Sequence, residues 1–77
     1  MRETIVEILE EIKPGVNYEK ETDLIGHKIL ESLDIIQLVS DLSEEFDVEI
    51  PLPYIRPENF KSVDTITSMI VVILEEE

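Results

Sequence analysis

The 77-residue chain contains no cysteine, which excludes disulfides, thiolate metal sites and a protein thiol nucleophile. Any thiol chemistry must therefore come from a cofactor. Basic residues are scarce: 6 Lys+Arg face 19 Asp+Glu, a formal charge of −13. Such a field repels nucleic acid and anionic membrane and steers association toward basic protein surfaces. No apolar run approaches membrane-spanning length, and Met1-Arg2-Glu3 opens without an apolar signal core, so a cytoplasmic protein with no membrane insertion is expected. Histidine occurs once, at His27, with nothing in the sequence to orient it toward a nucleophile. The acidic residues lack the alternating carboxylates and central glycine of a calcium loop, and no metal site is expected.

A chain this short makes one domain, residues 1–77, in which nearly every apolar residue serves a single core. Little remains to build a catalytic cleft, so a non-catalytic role is expected. The 43% of apolar residues is arranged periodically enough to form that core despite the charge. Ile5, Ile8, Leu9 and Ile12 recur at helical spacing opposite Glu3, Glu7, Glu10 and Glu11. Thr4 and Glu7 have capping-box spacing, although a start nearer Arg2 is also open. Pro14-Gly15 ends the helix.

Residues 16–31 lose the helical period and read as a long loop anchored by Val16, Tyr18, Leu24, Ile25, Ile29 and Leu30. A loop of this length in a compact domain packs on the core or positions a site. It ends at Ser32, a good N-cap, with Asp34 placing negative charge where the helix dipole is positive. Ile35, Ile36, Leu38, Val39, Leu42 and Phe46 form the apolar stripe of the helix that follows. Beyond Phe46-Asp47 and Val48-Glu49-Ile50, Pro51 and Pro53 bar regular structure. Pro57 suits the first position of a short turn through Phe60, with Ile55 and Phe60 facing inward. Ser62 caps a last helix carrying Val63, Ile66, Met69, Ile70, Ile73 and Leu74, where three turns of helical period outweigh a β-branched composition. The acidic tail Glu75-Glu76-Glu77 is expected to fray. The fold class is all-α, a small helical bundle of three longer helices and one short helical turn.

A serine at a helix start is ordinarily only a cap, yet a hydroxyl at the positive helix end is also well placed to carry a phosphoryl group. Here Glu31-Ser32-Leu33-Asp34 resembles the Asp-Ser-Leu attachment motif of the acyl carrier proteins. The order of helix, long loop, serine-headed helix, Phe46-Asp47-Val48-Glu49-Ile50-Pro51 passage, short turn and final helix also follows theirs, over almost the whole chain. The resemblance implies a single acyl-carrier-like domain in which Ser32 is esterified with 4′-phosphopantetheine from coenzyme A, making the chain a phosphoprotein. The thiol of that arm would carry an acyl or aminoacyl group as a thioester for fatty acid, polyketide or specialised aminoacyl biosynthesis. Glu31 departs from the usual aspartate by one methylene.

The implied partners are a phosphopantetheinyl transferase, an acyl- or aminoacyl-loading ligase, and acyl-transfer or synthase enzymes with basic docking surfaces, served by a monomer. Between Lys28 and Arg56 every charged residue is acidic, and Glu31, Leu33, Asp34, Asp41 and Glu44 are the candidate partner-binding residues. Leu33 could equally be a core residue. Ile36, Leu38, Val39 and Phe46 read as core that also lines space for a cargo chain. Gln37 and Ser43 stand where fatty-acid carriers commonly have carboxylates, which implies a dedicated partner set. The other reading is an acidic helical interaction module in which Ser32 only caps its helix.

Overall fold

Helix α1 spans Arg2–Ile12 and buries Ile5, Ile8 and Leu9 in a computed structural model that describes residues 1–76. Met1 takes the cap position, so the helix starts at the earlier of its two possible points and Thr4 lies inside it. At the other end the Lys13 amide donates to the Leu9 carbonyl at 2.8 Å, and Gly15 takes a left-handed φ of 86° that reverses the chain. Tyr18, a buried anchor of the loop, donates its hydroxyl to the Lys13 carbonyl at 2.5 Å, with the Leu9 carbonyl 3.2 Å away. Burial raises the Tyr18 pKa above its ordinary value, with Glu10 and Asp34 adding to the effect. Tyr18→Phe leaves these carbonyls without that donor and should cost about 1 kcal/mol by urea denaturation. An unchanged midpoint would show that water replaces the hydroxyl.

The loop is strapped to the core by backbone bonds as well as by its apolar anchors. The Leu24 amide donates to Lys61 at 2.6 Å, and the Leu24 carbonyl accepts from both Ile29 and Leu30 at 3.0 Å. Tyr18, Leu24 and Leu30 are buried, while Val16, Ile25 and Ile29 pack at the core's edge. A tight turn precedes the serine: Asp23 accepts from the Gly26 amide at 2.7 Å, and a Cβ at Gly26 would collide with that carboxylate.

Helix α2 runs Ser32–Phe46, but Glu31, not Ser32, occupies its cap. Glu31 is extended, with φ −107° and ψ 175°, and Asp34 reaches back in a capping-box arrangement to accept the Glu31 amide at 3.0 Å. Leu38 and Leu42 are fully buried; Ile35, Val39 and Phe46 are only half-buried. Ile36, expected in the core, is 66% exposed, because two residues of helix turn it about 200° from Leu38. Asp47 ends the helix in the left-handed region at φ 51°, and the Val48 amide closes onto Ser43 at 3.1 Å.

Two short 3₁₀ turns follow where one was expected. The additional one, Leu52–Tyr54, forms despite Pro53, since a first-turn residue needs no N–H partner. The second, Pro57–Phe60, places Phe60 in the core at 1% exposure, whereas Ile55, expected inward, remains 37% exposed. Helix α3, Val63–Glu76, is headed by a reciprocal pair in which Ser62 Oγ accepts the Thr65 amide and Thr65 Oγ1 accepts the Ser62 amide. Its buried residues are Val63, Ile66, Met69, Ile70 and Ile73. Glu75 and Glu76 continue the helix instead of fraying, and Tyr54 donates its hydroxyl to Glu76 at 2.7 Å. Glu77 lies outside the described residues.

Helix α1 packs against both α2 and α3, and the Pro57–Phe60 turn packs on α3. Arg2 ties the helix ends together by pairing with Asp64 at the head of α3 and with Glu19 of the loop. Among the described residues no strand forms, and one apolar core serves all the elements. The architecture is the expected small helical bundle.

Candidate functional site

With Glu31 and Asp34 forming the cap, Ser32 becomes the first residue inside α2. It is exposed, and its hydroxyl makes no hydrogen bond to a described residue. The first intrahelical bond is from the Ile35 amide to the Glu31 carbonyl, at 3.0 Å, so the amides of Ser32 and Leu33 have no backbone partner of their own. The helix dipole adds partial positive charge at that point. A hydroxyl that holds no structural bond, at a helix end that favours anions, can accept a phosphoryl group without loss to the fold.

Three segments converge beside it in an open groove of about 640 Å³. The loop contributes Ile25 and Lys28, α2 contributes Ile35 and Ile36, and the segment after the first 3₁₀ turn contributes Ile55 and Arg56. Leu30 and Phe60, both buried, form its floor. The groove falls in the volume range of small-molecule sites and is mainly apolar with a few charged groups.

The other anticipated residues are spread along α2. Glu31 borders the groove, and Leu33 is 80% exposed, which makes it a surface residue and not a core one. Asp34, besides its capping role, lies 3.7 Å from the Lys13 ammonium. Asp41 and Glu44 border a separate acidic hollow with Glu11 and Glu45 between α1 and α2, about 14 and 18 Å along the axis from Ser32 at 1.5 Å per residue. Gln37 donates its side-chain amide to Asp41 at 2.9 Å, and Ser43 turns its hydroxyl back onto the Val39 carbonyl at 2.7 Å. Of the residues expected to line a cargo space, Ile36 borders the groove, whereas Leu38, Val39 and Phe46 do not.

His27 is exposed and stands apart from the groove walls, its Nδ1 2.5 Å from Glu21. That bond, more than any other influence, holds the Glu21 carboxyl below its ordinary pKa. Sequence reading missed Lys28, Arg56 and Ile55 as neighbours of Ser32. The one available signal was that Lys28 and Arg56 bound the stretch without basic residues.

No helix among the described residues is long and apolar enough to cross a membrane. No family model matches the chain, and no solved structure matches it. Over 46 residues it is 41% identical to Aminoacyl carrier protein 1 of Bradyrhizobium diazoefficiens, a match covering 60% of this chain. It takes in 51% of that protein, so the chain spans about half the length of the curated relative it matches. The identity and the all-helical architecture together support a place for this chain in the acyl and aminoacyl carrier family.

Proposed function

We propose that this protein is a non-catalytic carrier which holds an acyl or aminoacyl group as a thioester on 4′-phosphopantetheine attached to Ser32. The observation that carries the reading is the Ser32 hydroxyl, exposed and without a structural bond at the head of α2 beside an apolar groove. The donor set fits the group: free first-turn amides, apolar walls for its methyl-bearing part, and a chain with no thiol of its own. When bound, the group supplies the thiol on which cargo is held. Ser32 Oγ would supply the oxygen that forms the phosphodiester with the pantetheine-bearing phosphorus of coenzyme A, with adenosine 3′,5′-bisphosphate as the leaving group and the serine proton passing to the transferase.

The cap held by Glu31 and Asp34 argues against the alternative, in which Ser32 serves only to cap its helix. Leu33 and the carboxylates of Glu31, Asp34, Asp41 and Glu44 form the docking side for a phosphopantetheinyl transferase, a loading ligase and acyl-transfer or synthase enzymes with basic surfaces. Gln37 partly covers Asp41 and Ser43 is folded onto its own helix, so this side is less anionic than a fully carboxylate-lined one. That favours dedicated partners, an aminoacyl-loading ligase among them, over general fatty-acid enzymes. The setting we propose is cytoplasmic, with the carrier a monomer.

Intact mass after incubation with coenzyme A and a promiscuous phosphopantetheinyl transferase tests the reading. A gain of one phosphopantetheine unit is expected. An unshifted mass under conditions that load a control carrier would overturn it.

A further inference from the structure

Helix α3 differs from α1 in what it shows to solvent. Every exposed side chain of α1 is a glutamate: Glu3, Glu7, Glu10 and Glu11. From Thr65 to Leu74, by contrast, α3 carries no charged residue, the longest such stretch in a chain of charge −13. Its exposed residues there are Ser68, Val71 and Val72, which with Glu75 follow one another at helical spacing along one face. Val71 is 37% and Val72 41% exposed. Because β-branched side chains also lower helix propensity, the fold itself gains little from valine at either position.

This face adjoins an open hollow of about 330 Å³ between α3 and the two 3₁₀ turns, walled by Tyr54, Asn59, Met69 and Val72 and rimmed by Glu58 and Asp64. Its walls are held in place: Asn59 Nδ2 donates to the Tyr54 carbonyl at 2.7 Å, and the Tyr54 hydroxyl reaches across to Glu76. The hollow shares no wall residue with the groove beside Ser32. At the head of α3, Asp64 is paired with Arg2, and nearby Glu58 with Arg56. At its tail, Glu75 and Glu76 make no ion pair among the described residues, and the last turn of the helix holds no basic residue. These carboxylates stand where the helix dipole is already negative, an unfavourable placement for the isolated fold. Exposed valines and unopposed carboxylates thus lie along one face, and neither serves the packing of this chain.

We infer that the α3 face is a docking surface for a basic amphipathic helix of a partner protein. The apolar stripe of that helix covers Val71 and Val72 and enters the hollow beside Tyr54 and Met69, while its lysine or arginine side chains meet Glu75 and Glu76. Charge selects this occupant. A second copy would bring another −13 to the contact, and the same field repels an anionic membrane. The small side chain of Ser68 lets a helix approach closely, and the spacing of Ser68, Val71 and Val72 presents the ridge that a partner helix packs against. A partner seated here leaves the groove beside Ser32 uncovered, so it can hold this protein while other proteins act at the serine. The inference goes beyond the carrier reading and does not depend on it.

The test uses the full chain, unloaded and isotope-labelled, near physiological ionic strength. One probe is a synthetic helical peptide with a leucine stripe and lysines elsewhere; the other has the same charge with serine in place of leucine. The leucine peptide should shift the amide resonances of Tyr54 and of Ser68 to Glu76, and should bind about tenfold more tightly than the serine peptide. The V71S/V72S variant, whose retained fold is checked by its own spectrum, should bind the leucine peptide about tenfold more weakly. E75Q/E76Q should also weaken binding and make it less sensitive to salt. Shifts centred on the glutamates of α1 or on the groove beside Ser32, or V71S/V72S binding as tightly as the native chain, overturn the assignment. A dimer of the chain alone in sedimentation, abolished in V71S/V72S, also overturns it, since the face then belongs to a second copy. None of these outcomes depends on a mass gain at Ser32, so the carrier reading stands or falls separately.

Discussion

Ser32→Ala should abolish the phosphopantetheine mass gain completely while leaving the unfolding midpoint nearly unchanged. Loss is complete because the alanine methyl has no oxygen to form the phosphodiester, and loading cannot be partial without the attacking atom. Stability is spared for a structural reason. Removing a capping serine typically costs about 1 kcal/mol, but here the cap belongs to Glu31 and Asp34, and the Ser32 hydroxyl has no internal partner to lose. The effect should therefore fall below that figure. Loading of the variant at Ser40, Ser43, Ser62 or Ser68 would remove Ser32 from its role, and a collapse of the fold would mean that its hydroxyl does structural duty.

Phe60→Ala should destabilise the domain by about 3–5 kcal/mol, the range for deleting a buried aromatic ring. A chain of this size has a total stability of roughly 4–12 kcal/mol, at about 0.05–0.15 kcal/mol per residue. One substitution thus removes much of the margin. Phe60 is fully buried at the end of the Pro57–Phe60 turn, packs beneath α3 and floors the groove beside Ser32. Phe46→Ala, by contrast, should cost clearly less, because that ring is only half-buried at the last turn of α2. Urea denaturation of both variants checks the order. Equal midpoints for the two, or an unchanged midpoint for Phe60→Ala, would show that the Phe60 ring does not anchor the core.

The differences between expectation and structure have identifiable causes. By its sequence Ile36 belongs to the apolar stripe of α2, but the helical rotation that puts Leu38 and Leu42 into the core carries it out to solvent. Ile55 lies between two 3₁₀ turns, where no periodicity indicates which way a side chain points. Ser32 and Glu31 compete for one cap. Residue preference favours serine, whereas the extended backbone at Glu31 and the carboxylate of Asp34 three residues on decide for glutamate. Thr4 has the right spacing for a cap and is passed over because its residue lies within the first turn of a helix that begins at Arg2.

By itself the sequence determined the three helices, the loop before Ser32, the cap at Ser62 and the core residues Leu38, Leu42, Phe60, Ile66 and Ile70, since period, breakers and caps are properties of neighbouring residues. The same local order carried the resemblance that marks Ser32. The tertiary structure alone decided what surrounds that serine. Lys28 and Arg56 become neighbours only when the loop and the Pro57–Phe60 turn close around the head of α2. Leu33, a core or surface residue by its sequence, becomes a surface one only when the packing of α1 fixes which side of α2 turns inward. Contacts between distant segments depend on how the helices pack against one another, and no spacing along the chain encodes that directly.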